Sequence, residues 1–278
     1  MLGLLARGLL AAWLGGPGVG TPAAVWECAQ WTLSLAAGSL ALLAPVWAAR
    51  RWAGLPPAAA FWSRPPAGSL RVAFPVYLGA AQLGNLLAGV VARFTGSGQS
   101  VELPQSAPAL VPAFLTLCVM PAVLEELLFR GVMQSLLRPH GAALAIVGQA
   151  VLFALLHGSL SGIVFALPAG LFFGLLAELS GSLWPGAVLH FSNNVLAFVL
   201  LWLECEAYDG LAQILWAVCI TVFPLWAAAA LARAALRRRP RRLEPGASPL
   251  ALAQCPAWLF AVAVLAAAVL AQWLAGRV

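Results

Sequence analysis

The chain has 278 residues, 63% of them hydrophobic and 9% charged, a composition that excludes an ordinary soluble domain and points to a polytopic membrane protein. Fifteen arginines, no lysine and nine acidic residues give a net charge of +6. The arginines lie mostly between apolar segments, where they serve as orientation signals and not as a nucleic-acid surface, so no nucleic-acid partner is expected.

A spanning helix needs about 20 mainly apolar residues. Eight or nine segments of the chain approach that rule, so the expected fold is all-α, a polytopic transmembrane helix bundle. Met1 to Gly16 is apolar but interrupted by Arg7 and lacks a basic leader, which favours a retained helix over a signal peptide. Val25 to Ala49 comes next, ended by Arg50 and Arg51, and a stretch with Pro56, Pro57, Pro65 and Pro66 breaks the helix before Leu70 to Val91. The polar run from Thr95 to Ser106 reads as a loop. Ala107 to Leu137 then forms a helix longer than the bilayer core is thick, closed by Pro139 and Gly141. Ala142 to His157, Ile163 to Leu179 and Ala187 to Leu203 follow, joined by short turns that force neighbouring helices together. Leu211 to Leu236 and Leu250 to Leu274 complete the set, divided by the arginine cluster at 237–242. The expected organisation is N-terminal helices and loops over 1–106, a core over 107–203 and C-terminal helices over 204–278. Placing the arginine cluster in the cytoplasm also places Arg50, Arg51 and Arg138 there, with Glu204, Glu206 and Asp209 outside. Exclusive use of arginine hints at a G+C-rich gene, hence a bacterial cytoplasmic (inner) membrane.

Charge stands out against this background. Glu125, Glu126 and Arg130 lie in the middle of a spanning helix, where each ionised group costs roughly 2.5 to 3.5 kcal/mol on insertion scales unless it is paired or faces a wet cavity. Glu126 and Arg130 are spaced i,i+4 and form a natural ion pair. Glu125 is turned about 100° away on an α-helix, which makes it the freer carboxylate and a candidate general base. Their expected division of labour is that Glu126 and Arg130 hold Glu125 in place. Two histidines fall in apolar helices. His157 ends its helix one turn above Phe153, and His190 shares a face with Asn194, although Asn193 at i+3 competes for the same role. Glu178 is expected to face the headgroups and His140 to sit in a solvated loop. The five cysteines, Cys28, Cys118, Cys205, Cys219 and Cys255, show no CxxC or Cys/His spacing and read as small buried residues. A zinc site would need a pattern such as HExxH, which the chain lacks, so no metal and no cofactor is expected.

The residues Glu125-Glu-Leu-Leu-Phe-Arg130, Phe153 to His157 and His190 to Asn194 read as EExxxR, FxxxH and HxxxN, in that order on three polar-bearing helices. This resembles the CPBP family of intramembrane glutamate endopeptidases, the type II CAAX prenyl protease and bacteriocin-immunity (Abi) group. The resemblance runs from about Ala109 to Leu203 and includes Gly170-Leu-Phe-Phe-Gly174 and Ser182-Leu-Trp-Pro-Gly186. It implies that Glu125 activates a water, that His157 helps hold it, and that His190 and Asn194 donate to the oxyanion formed on a peptide carbonyl, with Glu126 and Arg130 in support. It also implies chemistry without a metal. The implied partners are the lipid bilayer and a membrane-associated or lipidated peptide or protein. Neither its identity nor the oligomeric state can be read from the chain. Two other function classes use the same residues differently. One is a non-catalytic adaptor or immunity protein of the same fold, and the other is a transporter with the glutamates as a proton relay.

Overall fold

The computed structural model describes residues 22–66, 68–96, 101–206 and 208–235. The expected segments Met1 to Gly16 and Leu250 to Leu274, the arginines of 237–242 and Cys255 lie outside the described residues. Among the described residues the chain is helical, without strands. The helices are α1 (Ala23–Ala53), α2 (Ser69–Thr95), α3 (Ala107–His140), α4 (Ala142–Leu156), α5 (Leu160–Ser180), α6 (Trp184–Cys205) and α7 (Asp209–Ala235). All but the 15-residue α4 are long and apolar enough to cross a membrane. Most extend a few residues past the apolar run that marks them, while α4 ends one residue before His157. The first turn of α6, for instance, takes in Trp184, Pro185 and Gly186, which read as a turn in the sequence. Proline fits there because its missing N–H is unpaired at a helix start anyway.

The bundle encloses polar side chains within an apolar core and turns large apolar side chains outward. Trp47, Phe94 and Leu225 are more than two-thirds exposed, whereas Gln82, Glu126, Arg130, Gln134, Gln149, His190 and Asn193 are buried. That arrangement suits a lipid solvent, in which polar groups must find partners within the protein.

Those polar groups set the register of the central helices. Arg130 Nη2 donates to the Gly170 carbonyl at 3.5 Å, Gln134 Nε2 to the Gly174 carbonyl at 3.0 Å, and Arg138 Nε to Glu178 Oε1 at 2.7 Å, each across an offset of 40 residues. A constant offset means that α3 and α5 run parallel, and α4 returns between them. Gln149 of α4 joins the ladder, donating to the same Gly170 carbonyl at 2.8 Å. Helices approach this closely only because Gly170 and Gly174 lack side chains: a Cβ on Gly170 would lie 3.0 Å from the Ala150 backbone, and one on Gly174 would collide with Gln149 Nε2. Glu178, expected at the headgroups, closes the ladder near the end of α5.

Two stretches of α3, Leu115–Val119 and Glu126–Met133, are π-helical. The first has a local cause. Pro121 has no N–H to give and its ring crowds the carbonyl one turn back, and the chain widens there, with Met120 N–H reaching back to the Leu115 carbonyl. The second carries Glu126 and Arg130.

Smaller contacts fix the ends. Glu27 of α1 accepts from the backbone N–H groups of Gln105 and Ser106 at 3.3 and 2.9 Å, at the positive start of α3. Between α1 and α2 a 3₁₀ turn, Ala58–Trp62, docks on the α5–α6 connection. There Leu183 N donates to the Phe61 carbonyl at 2.9 Å, Ser182 Oγ to the Ser63 carbonyl at 2.6 Å, and Trp184 Nε1 to the Trp62 carbonyl at 3.1 Å.

Replacing Gly170 with Val should force α4 and α5 apart and cost about 1 to 3 kcal/mol, read as a lower unfolding temperature in detergent. An unchanged temperature would contradict the close approach of these helices.

Candidate active site

Residues of α3 and α6 meet in one polar cluster, and His157 of α4 lies on the other side of the Phe153 ring. α3 carries Glu125, Glu126 and Arg130, α4 ends at His157, and α6 places His190 two turns after its start. Glu126 is the hub. Its Oε1 accepts from Arg130 Nη1 at 3.0 Å and from His190 Nδ1 at 3.2 Å, and the residue is 1% exposed. Its second oxygen, Oε2, is buried against Gly186, where a Cβ would come within 2.8 Å.

The geometry fixes the imidazole. An ionised carboxylate only accepts, so His190 carries a proton on Nδ1 and turns Nε2 the other way. Nε2 lies 3.9 Å from Glu125 Oε2. The ring therefore stands between the two carboxylates, one at each nitrogen. Consecutive residues of an ideal α-helix would point about 100° apart, yet both carboxylates approach the same imidazole.

Glu126 thus joins Arg130 to His190, and neither Glu126 nor Arg130 hydrogen-bonds Glu125. Glu125 is half-buried and takes no hydrogen bond from another described residue.

Aromatic rings complete the setting. Phe173 of α5 stacks on His190 with centroids 5.4 Å apart and an interplanar angle of 21°. The Arg130 guanidinium carbon lies 4.3 Å from the Phe153 centroid, 5.1 Å from that of Phe173 and 5.9 Å from that of Phe129. Each such contact contributes about 0.5 to 2 kcal/mol, and together the rings shield a charge that cannot be shed. In the sequence Phe173 stands out only as part of the segment Gly170 to Gly174. Nothing local to it signals a partner on another helix.

His157 is half-buried at the C-terminus of α4. Its Nδ1 lies 2.9 Å from the Phe153 carbonyl. A carbonyl only accepts, so Nδ1 is the donor and, in the neutral ring, Nε2 is an acceptor. Phe153 lies edge-on between the two histidines, its centroid 4.9 Å from the His157 ring and 6.0 Å from the His190 ring.

The two asparagines separate. Asn193 is buried and lines a cavity with Gln82 and Asn85, whereas Asn194 is half-buried and makes no hydrogen bond with a described residue. Among the described residues no group of three or more His, Cys, Asp or Glu side chains is arranged to hold a metal ion.

A family model described as Type II CAAX prenyl endopeptidase Rce1-like matches residues 107–196. No curated protein and no solved structure matches the chain. The matched stretch spans α3, α4, α5 and the first half of α6, and so contains every charged and imidazole group of the cluster.

Removing Glu126 should leave Arg130 charged and unpaired. Glu126→Ala is expected to cost about 3 to 5 kcal/mol, whereas Glu178→Ala, whose pair with Arg138 is partly exposed, should cost under about 1 kcal/mol. Thermal unfolding in detergent measures both, and equal losses would contradict the hub role.

Proposed function

We propose that the chain is an intramembrane endopeptidase in which Glu125 activates the hydrolytic water, a reading supported by the match of residues 107–196 to the Type II CAAX prenyl endopeptidase Rce1-like family model. The observation that carries this reading is the Glu125 carboxylate, held 3.9 Å from His190 Nε2 and taking no hydrogen bond from the described residues. It has acceptor capacity to spare.

In the proposed reaction Glu125 takes a proton from water, and the oxygen attacks the carbonyl of a membrane-associated peptide. His157, with Nδ1 committed to Phe153, offers Nε2 as an acceptor for the water's other hydrogen. His190 and Asn194 stabilise the oxyanion. With His190 Nδ1 given to Glu126, donation from Nε2 requires the imidazolium, and a carboxylate beside each nitrogen balances that charge. The C–N bond then breaks as Glu125 returns its proton to the leaving nitrogen. Glu126, Arg130 and Phe173 position the ring and touch no reacting atom. No metal or cofactor takes part in any step.

Glu125→Gln should lower turnover by at least about 10²-fold, the contribution of a general base, and His190→Ala by about 10²- to 10³-fold, the value of an oxyanion donor. The direct assay compares membrane peptides in a deletion strain carrying either wild type or Glu125→Gln. Uncleaved substrates should accumulate only with the variant. Full complementation by Glu125→Gln would overturn the protease reading and favour a non-catalytic adaptor or immunity protein.

A further inference from the structure

A hydrolase inside a bilayer consumes water, and the amides of α2 and α6 suggest how water arrives. Gln82, 2% exposed, and Asn193, 7% exposed, line one cavity together with Asn85. Gln82 Nε2 is buried without a hydrogen-bond partner. An unpaired amide in an apolar bundle costs about 1 to 3 kcal/mol, so its persistence calls for a polar occupant.

The lining and size of the cavity favour water as that occupant. It follows one stripe of α6 from Asn193 through Leu200 to Glu204, and is walled by Trp216 of α7. That stretch is about 16 Å long at 1.5 Å per residue, and the volume is ≈ 260 Å³. A cavity of that size has room for several waters, each needing about 10 to 15 Å³ of such space. The lining amides are neutral, and the single charged group is the exposed Glu204 carboxylate at the mouth, so nothing there favours an anion. The inner end, Asn193, adjoins Asn194 and lies one turn from His190.

We propose that this cleft is a water path from the membrane face bearing Glu204, Glu206 and Asp209 toward the His190 cluster, with Gln82, Asn85 and Asn193 as its relay. As a supply for hydrolysis it rests on the protease reading. As a hydrated cleft it does not.

Hydroxyl-radical footprinting by X-ray radiolysis of the full chain in lipid nanodiscs distinguishes the two, because it reports water and not activity. Leu196 and Leu200 should be oxidised in the wild type, while Leu40 and Trp47 on the lipid face of α1 stay unmodified. Oxidation of Leu196 and Leu200 should fall several-fold in Gln82→Leu and in Asn193→Leu. The half-exposed rim variant Asn85→Leu serves if those two fail to fold. Unlabelled Leu196 and Leu200 in the wild type, or equal labelling in the folded variants, would overturn the path. If Glu125→Gln still cleaves while labelling follows this pattern, the protease reading fails and the hydrated cleft stands. With both intact, the amide variants should show kcat lowered about tenfold and KM unchanged. A rise in KM alone would assign the cleft to substrate binding and overturn the proposal.

Discussion

One carboxylate oxygen, Oε1 of Glu126, accepts from a guanidinium on its own helix and an imidazole on another, and the rest of the site takes its arrangement from that contact. Arg130 remains charged at any pH a cell meets, so in lipid it must be held by an anion. Glu126 is that anion. Once fixed, it orients His190, and the other nitrogen of the ring is turned to Glu125. A pair that looks merely neutralising thus sets how His190 is turned between the two carboxylates.

The same economy runs through the bundle. Lipid offers no hydrogen bonds, so each buried polar side chain must be matched within the protein. The matches at residues 130, 134 and 138 with 170, 174 and 178 lock α3 and α5 in parallel register. Glycines at 170, 174 and 186 let the backbones and Glu126 come close enough. Among the polar atoms left without a partner, Gln82 Nε2 is informative because its residue lines a cavity together with two further amides.

Much of this was legible in the chain. Apolar runs broken by proline, glycine and arginine locate the helices, since the cost of exposing backbone or charge to lipid leaves little freedom. Glu125, Arg130, His157 and His190 stand out for the same reason. The pairing was harder to read. Glu126 and His190 are 64 residues apart, and helical periodicity governs only neighbours three or four apart, so spacing pairs Glu126 with Arg130 and is silent on His190. The π turn, the stacking of Phe173 and the placing of Asn193 in a separate cavity likewise depend on which helices touch. Spacing along a single helix carries no such information.

The central claim is that Glu126 holds His190 by Nδ1. Solid-state ¹⁵N NMR of histidine-labelled protein in bilayers tests it directly, because the nitrogen shifts report which ring atom carries the proton and what accepts it. The His190 Nδ1 signal should be that of a protonated nitrogen bonded to a carboxylate, should move in Glu126→Gln, and should stay in place in Glu178→Gln. An Nδ1 signal that is unprotonated, or indifferent to Glu126, would contradict the account.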